Sequence, residues 1–396
     1  MIAGLASSFV GAEDKPVLRV LTFYDPTSRN VSKQVHHFEA KADCWVEWQF
    51  LHQDELGEVL KDDLESFDVV AVDEPWVPGL HHRLLAVQNW PYATLFPEGP
   101  NASQLDRASD LAIWNEVLWG RPILINFYLY VYRSDILEDP TIKDAFLEQH
   151  GRPLKAPNSF QSLLELAAFF EEHTNMSGFA TVARISESSV VDFLCFLAGT
   201  GQPSGSLGEL AAVDIDKLKT ALSAYAALHY FRPEGSDQWF VEDVNTAYVV
   251  GEVPQLFQWS SLLNPLRDPL YVRAGAQTGF QTLPLEHGPR TATGVWFFSM
   301  PRGKSIEKTQ LGVEFVNWFR EQLPPDLSAE SEKFFGPEGL IESVYSRPKM
   351  VHYKEFSQTI QKALTDLLQG DQPVEDIAST LRDELKRLHV EEKDSL

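Results

Sequence analysis

Near the start of the chain, apolar and polar positions alternate in blocks that predict a β-α-β-α-β unit. Residues 17–24 form an apolar run that reads as a strand, closed by the Asp25-Pro26 turn. Residues 30–42 are polar with spaced apolar positions and read as a helix. Residues 44–50 alternate, with Trp45 and Glu47 facing one way and Val46 and Trp48 the other, which predicts a second strand. Between 54 and 67, Leu56, Val59, Leu60 and Leu64 share one helical face. Residues 67–72 are a buried strand that runs into a loop. This order implies a parallel sheet with helices on both faces. Ligands of such sheets bind beyond the carboxyl ends of the strands, where Tyr24, Asp25, Asp73, Glu74 and Trp76 fall.

Further along, residues 75–103 carry five prolines, Pro75, Pro78, Pro91, Pro97 and Pro100, and read as a surface loop. Residues 104–118 read as a helix. The β-favouring run 123–133 is long enough to cross between two lobes. A helical stretch over 135–148 follows, then a helix from Phe160 capped by Ser159. Residues 178–184 read as a strand, 188–198 as a helix and 199–208 as a Gly/Ser-rich loop. Residues 214–229 form an amphipathic helix capped by Asp214. A helix over 238–250 precedes strands at 253–259, 280–285 and 292–300. Helices over 307–323, 355–369 and 374–389 complete the pattern.

A chain of 396 residues exceeds what one hydrophobic core usually supports, so two lobes are expected. The formal charge of −24 repels phosphate backbones and anionic bilayers, which argues against nucleic-acid and membrane-surface partners. The two cysteines, Cys44 and Cys195, lack metal-ligand spacing and read as buried, unpaired thiols. No run approaches the ~20 apolar residues that cross a bilayer. Residues 1–12 are small and apolar; they read either as the end of a signal peptide cleaved after Ala12 or as a frayed N-terminus.

The common enzyme motifs are missing: no GxGxxG follows the first strand, and there is no Walker A run, HExxH or GxSxG. The pairs His36-His37 and His81-His82 are adjacent in sequence and so diverge on a helix, which makes neither a metal clamp. Asp73 and Glu74 lie too close along one loop to straddle a glycosidic bond, but either could accept hydrogen bonds from sugar hydroxyls or cap the loop. Trp76, Trp259 and Trp296 sit at or near strand ends, where a flat ring matches the C–H face of a pyranose. Core filling is the competing reading, strongest for Trp296. Arg133 and Arg184 suit a ligand anion or a local carboxylate.

Four stretches, taken in order, carry a family resemblance: residues 67–80, 128–170, 247–261 and 282–319. Their order and spacing resemble the extracellular solute-binding proteins of ABC sugar importers, the maltose-binding-protein-like family 1, and within it the subgroup serving polyols and plant-type oligosaccharides. The resemblance implies an α/β, two-lobed periplasmic-binding-protein fold of type II, each lobe a mostly parallel sheet flanked by helices, with a hinge cleft between. Residues 13–126 with 278–322 would form one lobe, and 127–277 with 323–396 the other. It implies ligand contacts at Tyr24, Asp73, Trp76, Asn126, Arg184, Trp259, Gly294 and Trp296, with no catalytic residue, metal or cofactor. Gly294 would let the backbone approach a ligand. Asn158-Ser159-Phe160 and Thr293 depart from the family pattern, the latter within the implied pocket. The implied role is non-enzymatic: a periplasmic or extracellular monomer that closes on a mono- or oligosaccharide or polyol and presents it to ABC permease subunits. The alternatives are a receptor presenting its ligand to a sensor protein and, less favoured, a carbohydrate-active hydrolase.

Overall fold

The computed structural model describes residues 15–91, 105–106, 108–263, 277–288, 291–323, 335–336, 339–340 and 344–395; the leader segment read over 1–12 lies outside them. The chain opens with strand β1 (Val17–Phe23), helices α1 (Pro26–Ser32) and α2 (Val35–Ala42), strand β2 (Trp45–Leu51), helix α3 (Gln53–Asp63) and strand β3 (Val69–Asp73). Both β2 and β3 pair with β1 in parallel, as the alternation predicts. The helix expected over 30–42 is two helices, and the first starts earlier. Asp25 accepts hydrogen bonds from the Thr27 and Ser28 amides and Pro26 occupies the first turn, so the predicted turn is a helix cap.

After β3 the chain makes a tight turn at Glu74–Trp76 and a short helix α4 (Val77–Leu80). The helix expected over 104–118 is seen only at Leu105 and Asp106 among the described residues and does not extend over 109–118. Residues 109–112 make a single 3₁₀ turn, and β4 (Ile113–Trp114) pairs with β5 (Val117–Leu118). The intervening Asn115 and Glu116 adopt φ of 51° and 63°. A two-residue hairpin turn of type I′ requires positive φ at both central positions, and that local demand overrides the helical pattern.

Strand β6 (Arg121–Arg133) is the spine of the molecule. Its first half pairs antiparallel with β9 (Thr291–Ser299), from Arg121 opposite Phe298 to Phe127 opposite Thr293. Its second half pairs antiparallel with β7 (Gln255–Trp259) on one edge and β8 (Thr278–Gln281) on the other. One strand thus joins two sheets. A strand that crosses and neighbours that return must run antiparallel, so mostly parallel pairing applies to β2-β1-β3 and not to each lobe. Residues 278–281, as β8, lie against Tyr130–Arg133 in the second half of β6. Within β9, Thr291 and Ala292 pair with a short strand at Val344–Tyr345, and the following residues pair with β3 and the first half of β6.

The segment expected as a strand at 178–184 contributes only an Ala180–Leu256 bridge. The strand expected at 280–285 ends at Gln281, ahead of Pro284. In the second lobe, the helix Glu187–Gly199 is buried at every position from Glu187 to Ala198, consistent with its near-continuous apolar sequence. It packs among the helices Ile215–His229, Tyr353–Gln369 and Val374–Ser395 in one core cluster. A second cluster runs from β1 and β3 across one face of β6 to Leu129 and Val131. The half-buried Trp76 touches both. Cys44 and Cys195 are buried and unpaired, far apart in these two clusters.

Candidate functional site

Where β6 passes between the sheets, the loops after the strands face each other across a chamber of about 100 Å³. The first lobe supplies Phe23 at the end of β1 and Tyr24 and Asp25 after it, with Trp296 and Gly294 from β9. The second supplies Trp259 at the end of β7, together with Ser188 and Val191 from the buried helix. Phe23 stacks on Trp296 with ring centroids 4.0 Å apart. The Trp259 ring lies 4.9 Å from that of Tyr128 beneath it. It also covers Gly294: a Cβ there would stand 3.1 Å from the ring. The missing side chain at 294 therefore leaves room for the Trp259 ring.

Between the rings stand polar groups with unspent capacity. The Asp25 carboxyl is buried; Oδ1 caps α1, while Oδ2 has no hydrogen-bond partner. Burial outweighs the amide hydrogen bonds and pushes its pKa up to about 6. Asn126 Oδ1 accepts from the Ser261 amide at 2.9 Å, which leaves its NH₂ as the group able to donate. At one rim, the His52 ring of the first lobe meets the Phe240 ring of the second edge-on at 5.9 Å. Outside the chamber, Lys354 of the second lobe pairs with Glu58 of the first. The lobes therefore touch at the chamber's rim and again outside it.

The chamber's inner edge is a buried ion cluster. Arg347, in the irregular segment after Tyr345, forks onto Asp73 with contacts of 2.8 and 2.5 Å. The same guanidinium reaches Glu187 at 3.1 Å and lies 3.8 Å from Glu74. Glu187 also accepts from the Tyr353 and Ser357 hydroxyls. Burial drives Glu74 up to about 7 despite the guanidinium, with Asp73 adding repulsion. Burial likewise raises Glu187, against the pull of Arg347.

The positions expected to contact ligand divide accordingly. Tyr24, Asn126, Trp259, Gly294 and Trp296 line the chamber. Asp73 borders it but is wholly buried and committed to Arg347 and to the Gln53 amide. Trp76 does not line the chamber; it stands edge-on behind Trp296 at 5.5 Å and faces a separate hollow. Arg184 is exposed, over the Phe240 ring at 5.7 Å, outside the chamber. Both displacements follow from chain direction: the 3₁₀ turn after β3 carries Trp76 past the strand end, and residue 184 lies beyond the single bridge at Ala180. Sequence reasoning missed Gln53, Glu187 and Arg347. Gln53 lies two residues past the end of β2, so the strand-end rule would have found it. Among the described residues, no group of three or more His, Cys, Asp or Glu is placed to hold a metal ion.

Behind Trp259, the Tyr128 hydroxyl meets Thr181 Oγ1 at 3.3 Å, and Thr181 donates to Asp192 Oδ2 at 2.8 Å. Asp192 is buried with Oδ1 unpartnered, and burial lifts its pKa to about 7. A carboxyl raised in the folded state lends stability that is complete below its unfolded pKa and disappears as pH climbs through the folded value. Asp192→Asn should therefore equal the parent near pH 4 and exceed it by on the order of 2–4 kcal/mol at pH 8. Urea unfolding at both pH values checks this, and a gap independent of pH would show that the carboxyl does not titrate.

No family model matches the chain, and no curated protein matches it in sequence. Solved structures do match. Maltose-bound MalE3 of T. maritima superposes with a TM-score of 0.74 at 20% identity, over 94% of this chain and 99% of that one. A ribitol complex of an ABC-transporter solute-binding protein from Agrobacterium radiobacter K84 gives 0.75 at 15% identity, over 95% and 99%. The acarbose-binding GacH receptor of Streptomyces glaucescens gives 0.72 at 16%, over 95% and 99%. At these identities the likeness establishes the fold: the two-domain α/β arrangement of ABC sugar and polyol solute-binding proteins.

Proposed function

We propose that this chain is a non-enzymatic, exported solute-binding protein. It takes a sugar or polyol into the interlobe chamber and delivers it to the permease subunits of an ABC importer from the periplasm or cell exterior. The observation that carries this reading is the chamber itself. Phe23 with Trp296 from one lobe and Trp259 from the other present ring faces, with Asp25 and Asn126 between them as acceptor and donor. Apolar walls with a few directed polar groups suit a solute with C–H faces and hydroxyl edges. Contacts from both lobes would favour the closed arrangement, so the solute shifts a hinge equilibrium of type II form and the closed surface is what the permease reads. The solved structures in complex with maltose, ribitol and acarbose support the same solute class.

A thermal-shift panel of pentoses, hexoses, alditols and disaccharides tests the reading. One class should raise the melting temperature. At a concentration near 1,000 times the dissociation constant, a ligand of the folded state adds about 4 kcal/mol. A flat response across the panel would refute sugar and polyol binding.

A further inference from the structure

On the far side of the Arg347 cluster lies a second hollow of about 470 Å³, against about 100 Å³ for the inner chamber. Helix α3 forms one wall through Asp54 and Glu58, and the helix from Tyr353 forms the other through Lys354 and Gln358, with Trp76 alongside. Gln53 and Glu187 line both spaces. Between them the bonds are continuous. Gln53 donates to Asp73 at 2.7 Å, Asp73 holds the Arg347 fork, Arg347 donates to Glu187 at 3.1 Å, and Ser357 donates to Glu187 at 2.6 Å. This row runs from the first lobe to the second straight across the cleft.

We infer that the Gln53–Asp73–Arg347–Glu187 row is a partition, which sizes the inner chamber for one compact polyhydroxylated solute and bars a second sugar ring. The inference rests on the solute-binding reading and narrows it to a single pentose, hexose or short alditol. At about 100 Å³ against about 470 Å³, the chamber is the smaller of the two spaces that the row separates. The partition does not yield to a longer ligand as a loop would. Its central link is a buried bidentate arginine–carboxylate pair, and parting it uncovers charges away from water. The outer hollow is large enough for another ring and offers the flank of Trp76, but the row closes the passage to it.

Calorimetry on the full chain tests this with a pentose, a hexose, its alditol, and the di- and trisaccharide built from that hexose. The single-ring or alditol solute should bind at least about tenfold more tightly than the disaccharide. Gln53→Ala trims the row without uncovering a charge, and the neutral double variant Asp73→Asn with Arg347→Gln loosens its centre. In each, the preference should shrink by about tenfold, through a gain for the disaccharide. Parent protein that binds di- or trisaccharide as tightly as the single ring overturns the partition and leaves solute binding standing. An unchanged preference in both variants also overturns it. Failure of every sugar and alditol to bind the parent removes the underlying reading and the partition with it.

Discussion

Trp259→Ala is expected to weaken binding of the preferred sugar or polyol by roughly 30- to 100-fold, about 2–3 kcal/mol, while the protein stays folded. The ring ends strand β7, half-buried, with one side toward the chamber. Beneath it lies the Tyr128 ring, buried on its own account and tied to Thr181, so the second core does not depend on the indole. Gly294 completes the seat: the backbone of β9 comes within van der Waals reach of the ring because no Cβ intervenes. Trp296 differs. It is 6% exposed, stacked on Phe23 and braced by Trp76, and pairs through β9 with both β3 and β6. Its loss would register as core damage, of the roughly 3–5 kcal/mol that emptying a large aromatic site costs. Isothermal calorimetry with the solute that gives the largest thermal shift, alongside urea unfolding, separates the two behaviours. If Trp259→Ala unfolds as a core variant does and the folded fraction binds normally, the indole is packing and not a ligand platform.

These contrasts explain what the sequence could and could not disclose. The unit from β1 to β3 was legible because alternation and helical spacing both report burial directly, and Leu56, Leu60 and Val69 to Val72 are all buried. β6 was legible because an unbroken β-favouring run from Ile123 to Arg133 has no other stable use. The hairpin at 113–118 was not, because its signal is two positive φ angles at Asn115 and Glu116 rather than a periodicity. The same division holds in the chamber. Strand-end logic located Tyr24, Asn126 and Trp259. It also marked Asp73, but not the partner that occupies it. Arg347 is 274 residues away from Asp73 in sequence and 160 from Glu187, in a segment without regular structure. No local pattern encodes that meeting. It follows from the short strand Val344–Tyr345 lying beside β9, and only the assembled sheets bring the three charges together.

Arg347→Met should lower stability by about 3–5 kcal/mol at pH 8, and the size of the effect follows from what is left behind. The guanidinium is 3% exposed, Asp73 is fully buried, and Glu187 contacts the same fork. Methionine fills the volume but answers none of the charge. Asp73 would keep only the Gln53 amide and its own backbone contact at Glu74, and Glu187 only two hydroxyls. Carboxylates stripped of a cation in a dry site either remain charged at a large penalty or take up protons. The second route sets the pH dependence. With Arg347 gone, the pull that opposes burial at Glu74 and Glu187 is lost, so both carboxyls shift further upward. Groups raised in the folded state stabilise at low pH and lose that contribution as pH rises through their folded values. The deficit of Arg347→Met should accordingly be smallest near pH 4 and widen toward pH 8. Adding Asp73→Asn removes the carboxylate most directly abandoned, and should recover part of the loss, as a double-mutant cycle of urea unfolding would measure. A single-variant loss below about 1 kcal/mol at pH 8, or a cycle with no coupling, would mean that the fork is not what binds the two halves at this point.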